Sequence, residues 1–137
     1  MCLYCIYILL YRLLSIGILV FVLGLIHLFG YTLSYSLSGC TEIDNNVVYG
    51  HVSSLIVLPQ FRRRKFATEL MLEFERVCRE ELNCAYVNFF VNPLNEVALS
   101  LYNKLGYQVH CTLPKYYNST DDAYEMRKSL ISPTEPL

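Results

Sequence analysis

The sequence has almost no net charge and no regular spacing of cysteines. Its 137 residues include 11 Lys and Arg against 12 Asp and Glu, which gives a formal net charge of −1 and a pI near 6.3. No chain-wide positive field therefore draws the protein to nucleic acid. The six cysteines show neither a disulfide framework nor paired metal ligands, which argues against a small secreted scaffold and a zinc site. Reduced thiols fit a cytosolic protein better, and the length suits one domain.

Charged residues are also scarce in the N-terminal part of the chain. Arg12 is the one Lys, Arg, Asp or Glu among residues 1–41, and every other such residue lies from Glu42 onward. Residues 1–29 are an apolar segment long enough, as a helix, to cross a hydrocarbon core of about 30 Å. They contain no basic n-region and no small-residue cleavage site, so a cleavable signal peptide is not expected. Three interpretations stay open: a transmembrane helix, a helix or strand packed on the domain, or an atypical start of the chain.

A strand, a basic turn and a helix follow one another between His51 and Glu81. Residues 55–58 are a short apolar run that Pro59 ends, which is typical of a buried strand. From Phe66 the apolar residues recur at helical spacing, and their predicted buried face comprises Phe66, Ala67, Leu70, Met71, Phe74, Val77 and Cys78.

Four cations, Arg62 to Lys65, come directly before this helix. A helix N-terminus already carries partial positive charge and unpaired N–H groups, so cations alone are unfavourable there. An anion would be held by the side chains, the dipole and the N–H groups together. The pattern is therefore interpreted as a phosphate site, with a solvated basic loop or a targeting sequence as the alternatives.

The remaining patterns predict an α/β domain over residues 30–130 and a short disordered tail at 131–137. Residues 30–39 alternate as a half-buried strand does, and a long loop would join them to a strand at 47–58. A strand at 85–91 should lie parallel to 55–58, because a strand–helix–strand crossover is right-handed. Ligands bind at the carboxyl ends of such strands. Further patterns predict a helix at 96–105 capped by Asn95 and ended by Gly106, a strand at 107–113, a polar loop at 114–122 and a strand at 123–130.

Three motifs resemble the GCN5-related N-acetyltransferase (GNAT) family. They are Val57-Leu58-Pro59-Gln60-Phe61-Arg62-Arg63-x-x-x-Ala67, which is similar to the acetyl-CoA signature, Asn95-x-x-Ala98-x-x-x-Tyr102-x-x-Leu105-Gly106-Tyr107, and Asp122-Ala123-Tyr124-x-Met126-Arg127-Lys128. Within the family the chain looks most like NatB-type catalytic subunits, over residues 30–130 and most tightly over 51–128. The resemblance implies a mixed twisted sheet with flanking helices, in which an apolar helix in residues 1–29 replaces the family's first strand and two helices. Lys65 stands where the family has glycine.

The resemblance also implies an activity and a site. The expected reaction is acetyl transfer from acetyl-CoA to the α-amine of protein N-termini that begin Met-Asp, Met-Glu, Met-Asn or Met-Gln, with no metal. The expected catalytic residues are His51, as base for the amine, and Tyr102, as acid for the departing thiolate. The expected acetyl-CoA contacts are Leu55, Ile56, Val57, Arg62, Arg63, Arg64, Lys65, Phe66, Ala67, Asn95 and Tyr102. The expected peptide contacts are Ser53, Tyr116, Tyr117 and Tyr124.

The same resemblance implies partners, and two rival functions remain. By resemblance the partners are the peptide substrate, a NatB auxiliary subunit and the ribosome, and no direct contact with nucleic acid is expected. The expected location is the cytoplasm, with membrane attachment through residues 1–29 as an option. One rival is a catalytically inactive relative that keeps only the fold or a partner surface, because Lys65 and the altered N-terminus remove turnover. The other is a membrane-tethered acetyltransferase of small amines.

Overall fold

The computed structural model describes residues 8–11, 20–24 and 35–131, which form a mixed sheet with two α-helices. The strands are β1 (Ile8–Tyr11), β2 (Val20–Gly24), β3 (Tyr35–Asp44), β4 (Val47–Val57), β5 (Tyr86–Val91), β6 (Gln108–Tyr117) and β7 (Asp121–Ser129), and the helices are α1 (Phe66–Glu80) and α2 (Glu96–Lys104). The strand order is β1-β2-β3-β4-β5-β7-β6, in which β4 and β5 are parallel and all other neighbours antiparallel. The predicted mixed α/β sheet is thus confirmed.

Helix α1 makes the crossover between the two parallel strands and covers one face of the sheet. Its buried apolar residues are Leu70, Met71, Phe74, Val77 and Cys78, all from the face that the periodicity predicted. The helix lies close to the strands because Gly39 and Gly50 have no side chain beneath it. A Cβ at Gly50 would come within 2.5 Å of the Cys78 sulfur, and one at Gly39 within 2.7 Å of the Phe74 ring. The close approach of the Phe74 and Cys78 side chains to these two glycines therefore sets the position of α1 on the sheet.

The hairpin before α1 is tighter than predicted. Strand β3 continues to Asp44, so the expected long loop at 40–48 is wrong, and residues 30–34 of the predicted strand lie outside the described residues. The turn consists of Asn45 and Asn46 alone, with φ of 48° and 66°. Two residues with positive φ match the twist of adjoining strands, and asparagine tolerates that conformation better than most residues.

The last hairpin is also longer than predicted. Residues 114–122 were expected to form a polar loop, but β6 runs on to Tyr117 and β7 begins at Asp121. Pro114 can lie within β6 because β6 is at the edge of the sheet, where a missing N–H breaks no ladder. Strands β6 and β7 change register between Leu113 and Tyr117, where Lys115 has a φ of 55°.

The described parts of residues 1–29 are strands rather than the expected apolar helix. Residues 8–11 and 20–24 pair antiparallel with each other, and β2 pairs with β3. Short apolar runs rich in β-branched and aromatic residues fit a strand as well as a helix, and the edge of β3 supplies unpaired backbone groups. No helix in the described stretches combines the length and apolarity needed to cross a bilayer. The other residues of 1–29, and the predicted tail from residue 132 onward, lie outside the described residues.

Candidate active site

The sheet opens between its two parallel strands. Strands β4 and β5 are paired only at Gly50–Val87 and His51–Asn88, after which β4 continues to Val57 and β5 to Val91 without a ladder between them. A bulge marks this point, because the register of β3 against β4 passes over Ser53. Bulges bend a strand and often lie beside active sites. The backbone groups of β4 beyond the bulge that do not face β3 therefore border an open gap.

The end of β4 lies at this gap and is not buried. Residues 55–58 were expected to form a buried strand, but the Ile56 side chain is 53% exposed and Leu55 and Val57 are half-buried. The expectation of burial is wrong for Ile56, because β5 no longer pairs with β4 at this point. The structure thus brings three of the predicted acetyl-CoA contacts to the rim of the gap.

The basic turn follows β4 directly and leads into the N-terminus of α1. Between them lies a short 3-10 turn, Pro59–Phe61, which separates the end of β4 from the cations. Within the described chain, the backbone N–H groups of residues 63–68 donate no hydrogen bond. Arg62 Nε donates to the Val57 carbonyl at 3.1 Å, and the Arg64 guanidinium lies 5.9 Å from the centre of the Phe61 ring. The turn therefore presents unpaired donors and positive charge at one place.

Lys65 is the N-cap residue of α1 and adopts the left-handed conformation, with φ 66° and ψ 5°. Its side chain is exposed and forms no hydrogen bond or ion pair with any described residue, so it does not plug the helix end. Arg63 has a φ of 63° and is likewise exposed. Glycine is the residue that normally adopts such a φ without strain. The backbone thus keeps a glycine-like shape at a position that holds lysine.

His51 lies beside the gap and is held by a chain of hydrogen bonds. Its Nδ1 is 2.9 Å from Asn88 Oδ1, and Asn88 Nδ2 donates to Glu125 Oε1 at 2.9 Å. Glu125 also accepts from Arg127 Nε and, through Oε2, from Cys111 Sγ at 3.2 Å. Asn88 is 5% and Glu125 7% exposed. A half-buried imidazole is therefore anchored from behind by a buried amide and a buried carboxylate.

Glu125 is ionised in this setting. Burial raises its pKa, but hydrogen bonds from Arg127, Asn88 and Cys111 lower it more, and the net direction is below its usual range. Among the described residues, no three His, Cys, Asp or Glu side chains are grouped as metal ligands would be.

Tyr102 lies on α2 and packs against the core. Its ring is 4.1 Å from that of Phe89 and 6.2 Å from that of Tyr107. Burial raises the pKa of the Tyr102 hydroxyl, and neighbouring Tyr117 adds to the effect. The phenol therefore keeps its proton at neutral pH, as an acid must before it acts.

Asn95 caps the same helix, because its side chain accepts from the Ala98 N–H at 3.1 Å, and the predicted cap is confirmed.

A row of aromatic rings leads away from His51. The Phe90 ring lies 5.3 Å from the imidazole, Tyr116 lies 5.0 Å from Phe90, and Tyr117 lies 5.0 Å from Tyr116. Tyr116 is 48% exposed, and burial raises the pKa of Tyr117. The structure thus brings the predicted tyrosine pair and the predicted base into one neighbourhood.

Two other predicted peptide contacts are placed differently. Ser53 is the exposed bulge residue of β4. Tyr124 packs against the hydrophobic core, next in sequence to Glu125 and hence on the opposite face of β7. It does not join Tyr116 and Tyr117, so the structure groups it with the core rather than with the aromatic row.

Sequence reasoning did not single out Asn88, Glu125 or Phe90. The signal that could have found the first two is a polar residue inside an apolar strand pattern, since a buried amide or carboxylate needs a partner. Their partners lie 37 positions away in each case, which the local pattern cannot specify.

Comparison with known proteins agrees with this geometry. The sequence model of the Acetyltransferase (GNAT) family matches residues 26–107. N-alpha-acetyltransferase daf-31 of Caenorhabditis elegans is 36% identical over 102 residues, which is 74% of this chain and 56% of the relative. N-alpha-acetyltransferase 20 of Dictyostelium discoideum is 38% identical over 82 residues, which is 60% of this chain and 47% of the relative. The chain thus spans about half the length of the curated relatives it matches.

Solved structures share the fold. A chain of the NatB acetyltransferase complex bound to CoA and MES matches with a TM-score of 0.71 and 27% identity, over 80% of this chain and 73% of that one. A chain of the NatC complex bound to Gag peptide and CoA matches with a TM-score of 0.72 at 19% identity, over 80% and 71% respectively, which is a likeness of fold. With the family's sequence model covering more than half of its residues and the sheet opening between β4 and β5, the chain belongs to the GNAT acetyltransferase family.

Proposed function

We propose that the protein transfers the acetyl group of acetyl-CoA to the α-amine of a protein N-terminus. The observation that carries the proposal is the gap between β4 and β5, which ends at a helix N-terminus with unpaired N–H groups and cations. Named relatives support the same activity, since both are N-alpha-acetyltransferases. As in the NatB and NatC complexes found among the solved structures, an auxiliary subunit is the expected partner.

The residues present fit CoA in two ways. Its diphosphate would accept hydrogen bonds from the free N–H groups of residues 63–68, and Arg63 and Lys65 have no competing ion pair in the described chain. Its extended arm would pair with the backbone of Leu55 to Val57, which lacks a neighbouring strand on the side of the gap.

The proposed base and acid lie on opposite faces of the sheet, because His51 contacts Asn88 whereas Tyr102 packs on Phe89, the next residue of β5. The amine nitrogen attacks the thioester carbonyl, a C–N bond forms, and the C–S bond breaks to release the CoA thiolate. A protein α-amine has a pKa of about 7.7–8.0, so about a tenth is neutral at pH 7 and the base has a small task. His51 or a water that it orders takes the amine proton. A backbone N–H group of Ile56 or Val57 that faces the gap would stabilise the oxyanion, and Tyr102 gives its proton to the thiolate.

The peptide would lie along the aromatic row. Tyr116 and Tyr117 offer hydroxyls and ring faces beyond Phe90, the ring that contacts His51, and the exposed Ser53 lies at the bulge on β4. A preference for Met-Asp, Met-Glu, Met-Asn or Met-Gln ends rests on resemblance to NatB-type enzymes.

A second candidate function is a relative that keeps the fold without turnover. Lys65 favours it, because its Cβ and side chain occupy a left-handed position at the helix end where close approach of a diphosphate suits glycine. The full chain and its Lys65→Gly variant separate the two candidates by calorimetric titration with acetyl-CoA. The first candidate requires binding by the unmodified chain.

The transfer itself is tested with peptides. We expect acetylation of a Met-Asp peptide, detected by mass spectrometry as the added acetyl group, and none of the same peptide with its α-amine blocked. Binding of acetyl-CoA only by the Lys65→Gly variant would instead support the silent relative. Acetylation of a free small amine but of no peptide would refute the proposed substrate class.

A further inference from the structure

The chain of hydrogen bonds behind His51 determines which of its two nitrogens can accept a proton. We infer that Asn88, oriented by Glu125, holds neutral His51 as the Nδ1–H tautomer and leaves Nε2 as the basic atom. That this base serves acetyl transfer rests on the proposed function, whereas the tautomer itself does not. Asn88 and Glu125 are thus positioning residues, which act through His51.

The inference follows from donor and acceptor counting. An ionised carboxylate only accepts hydrogen bonds, and Glu125 is held ionised by Arg127, Cys111 and Asn88. The Asn88 amide must therefore turn its NH2 group toward Glu125. Its oxygen then faces His51, 2.9 Å from Nδ1. Because an amide oxygen only accepts, Nδ1 must carry the hydrogen, and the remaining lone pair of the neutral ring is on Nε2.

The network is rigid enough to maintain this choice. Asn88 and Glu125 are buried, so water has little access to their hydrogen bonds. Arg127 is fixed on its far side, since its guanidinium lies 4.6 Å from the centre of the Tyr86 ring, which stacks at 4.9 Å on Tyr49. Within the described chain, His51 Nε2 has no hydrogen-bond partner. The free nitrogen is therefore the one available to an incoming amine or to an ordered water.

The arrangement also keeps the hydrogen bond to Asn88 when the ring takes up a proton. Once Nε2 accepts the amine proton, both ring nitrogens are donors, and the Nδ1–H bond to Asn88 is retained without any rearrangement. The opposite tautomer would place two acceptors face to face at Nδ1 and Oδ1.

Nitrogen-15 NMR of the full chain, without substrate, tests the inference. The spectra are recorded at pH 8.5, above the usual titration range of an imidazole, and His51→Gln identifies the His51 signals among the three histidines. We expect the Nδ1–H tautomer in the unmodified protein. Asn88→Leu has a similar volume but no acceptor and should give a mixture, while Asn103→Leu, at an exposed asparagine outside the network, should keep the single tautomer.

Activity is measured separately, so failure of the two ideas can be told apart. We expect Asn88→Leu to lower kcat/KM for a peptide about tenfold, and Asn103→Leu to leave it unchanged. An Nε2–H tautomer in the unmodified protein overturns the inference whatever the activity. The expected tautomer without acetyl transfer supports the positioning and refutes the proposed function. The expected tautomer with an unchanged kcat/KM in Asn88→Leu overturns the link between positioning and catalysis.

Discussion

Replacing Lys65 with glycine should stabilise the protein. Lys65 has a φ of 66°, and the left-handed conformation costs a residue with a side chain about 1–2 kcal/mol. Glycine removes that cost but loses about 0.5–1 kcal/mol because its unfolded chain is more flexible. Removing a cation from a helix N-terminus returns about 0.3–1 kcal/mol. We expect a net gain of about 1 kcal/mol, or about 3 °C in Tm for a chain of this size.

Two matched variants separate the backbone effect from the charge effect. Lys65→Ala removes the same charge but keeps a Cβ at positive φ, so it should gain only the electrostatic part. Arg64→Gly removes one cation from the same turn at a residue whose φ is not positive, so glycine should give no net gain there. The measurement is urea unfolding followed by circular dichroism, with thermal melting as a second method. Equal stability of the Lys65→Gly and Lys65→Ala variants would refute the left-handed conformation at this position.

Three further perturbations have defined outcomes. Lys128 Nζ lies 2.6 Å from Glu75 Oε2, and the Glu75 side chain is only 3% exposed. Lys128→Met should therefore lower the free energy of unfolding in urea by about 2–3 kcal/mol, and a Glu75→Leu/Lys128→Met double variant should recover most of that loss. An equal loss in both variants would contradict a paired carboxylate. Asn95→Ala should lower stability by about 1 kcal/mol through loss of the α2 cap, while Asn95→Asp should keep most of it; a smaller loss in alanine than in aspartate would exclude capping. The pKa of Glu125 is lower in the folded protein than in the unfolded chain, so its ionised carboxylate contributes stability that is present above the unfolded pKa and is lost as pH falls through the folded pKa. The stability difference between the unmodified chain and Glu125→Gln should therefore shrink below about pH 4. A constant difference from pH 7 to 3 would rule this out.

Local sequence patterns determined the elements that carry the family resemblance. The helical spacing from Phe66 identified the buried face of α1, because amphipathic periodicity reports directly which side of a helix meets the sheet. Asn95 before α2 and Gly106 after it marked the ends of that helix, since capping depends on residues a few positions apart. The four cations of Arg62 to Lys65 were likewise visible in the sequence, and the structure places them just before α1, while their binding of an anion stays a prediction. These features depend on neighbours within one or two turns of the chain.

Tertiary structure alone decided which side chains act together. The Asn88 bonds to His51 and Glu125 each span 37 positions, and they exist because β5 lies between β4 and β7. The exposure of Ile56 depends on a bulge and on a partner strand that turns away, which an apolar run cannot indicate. The strand character of residues 8–11 and 20–24 depends on the free edge of β3. Pairing between distant segments is set by the packing of the whole sheet, and a local pattern contains no information about it.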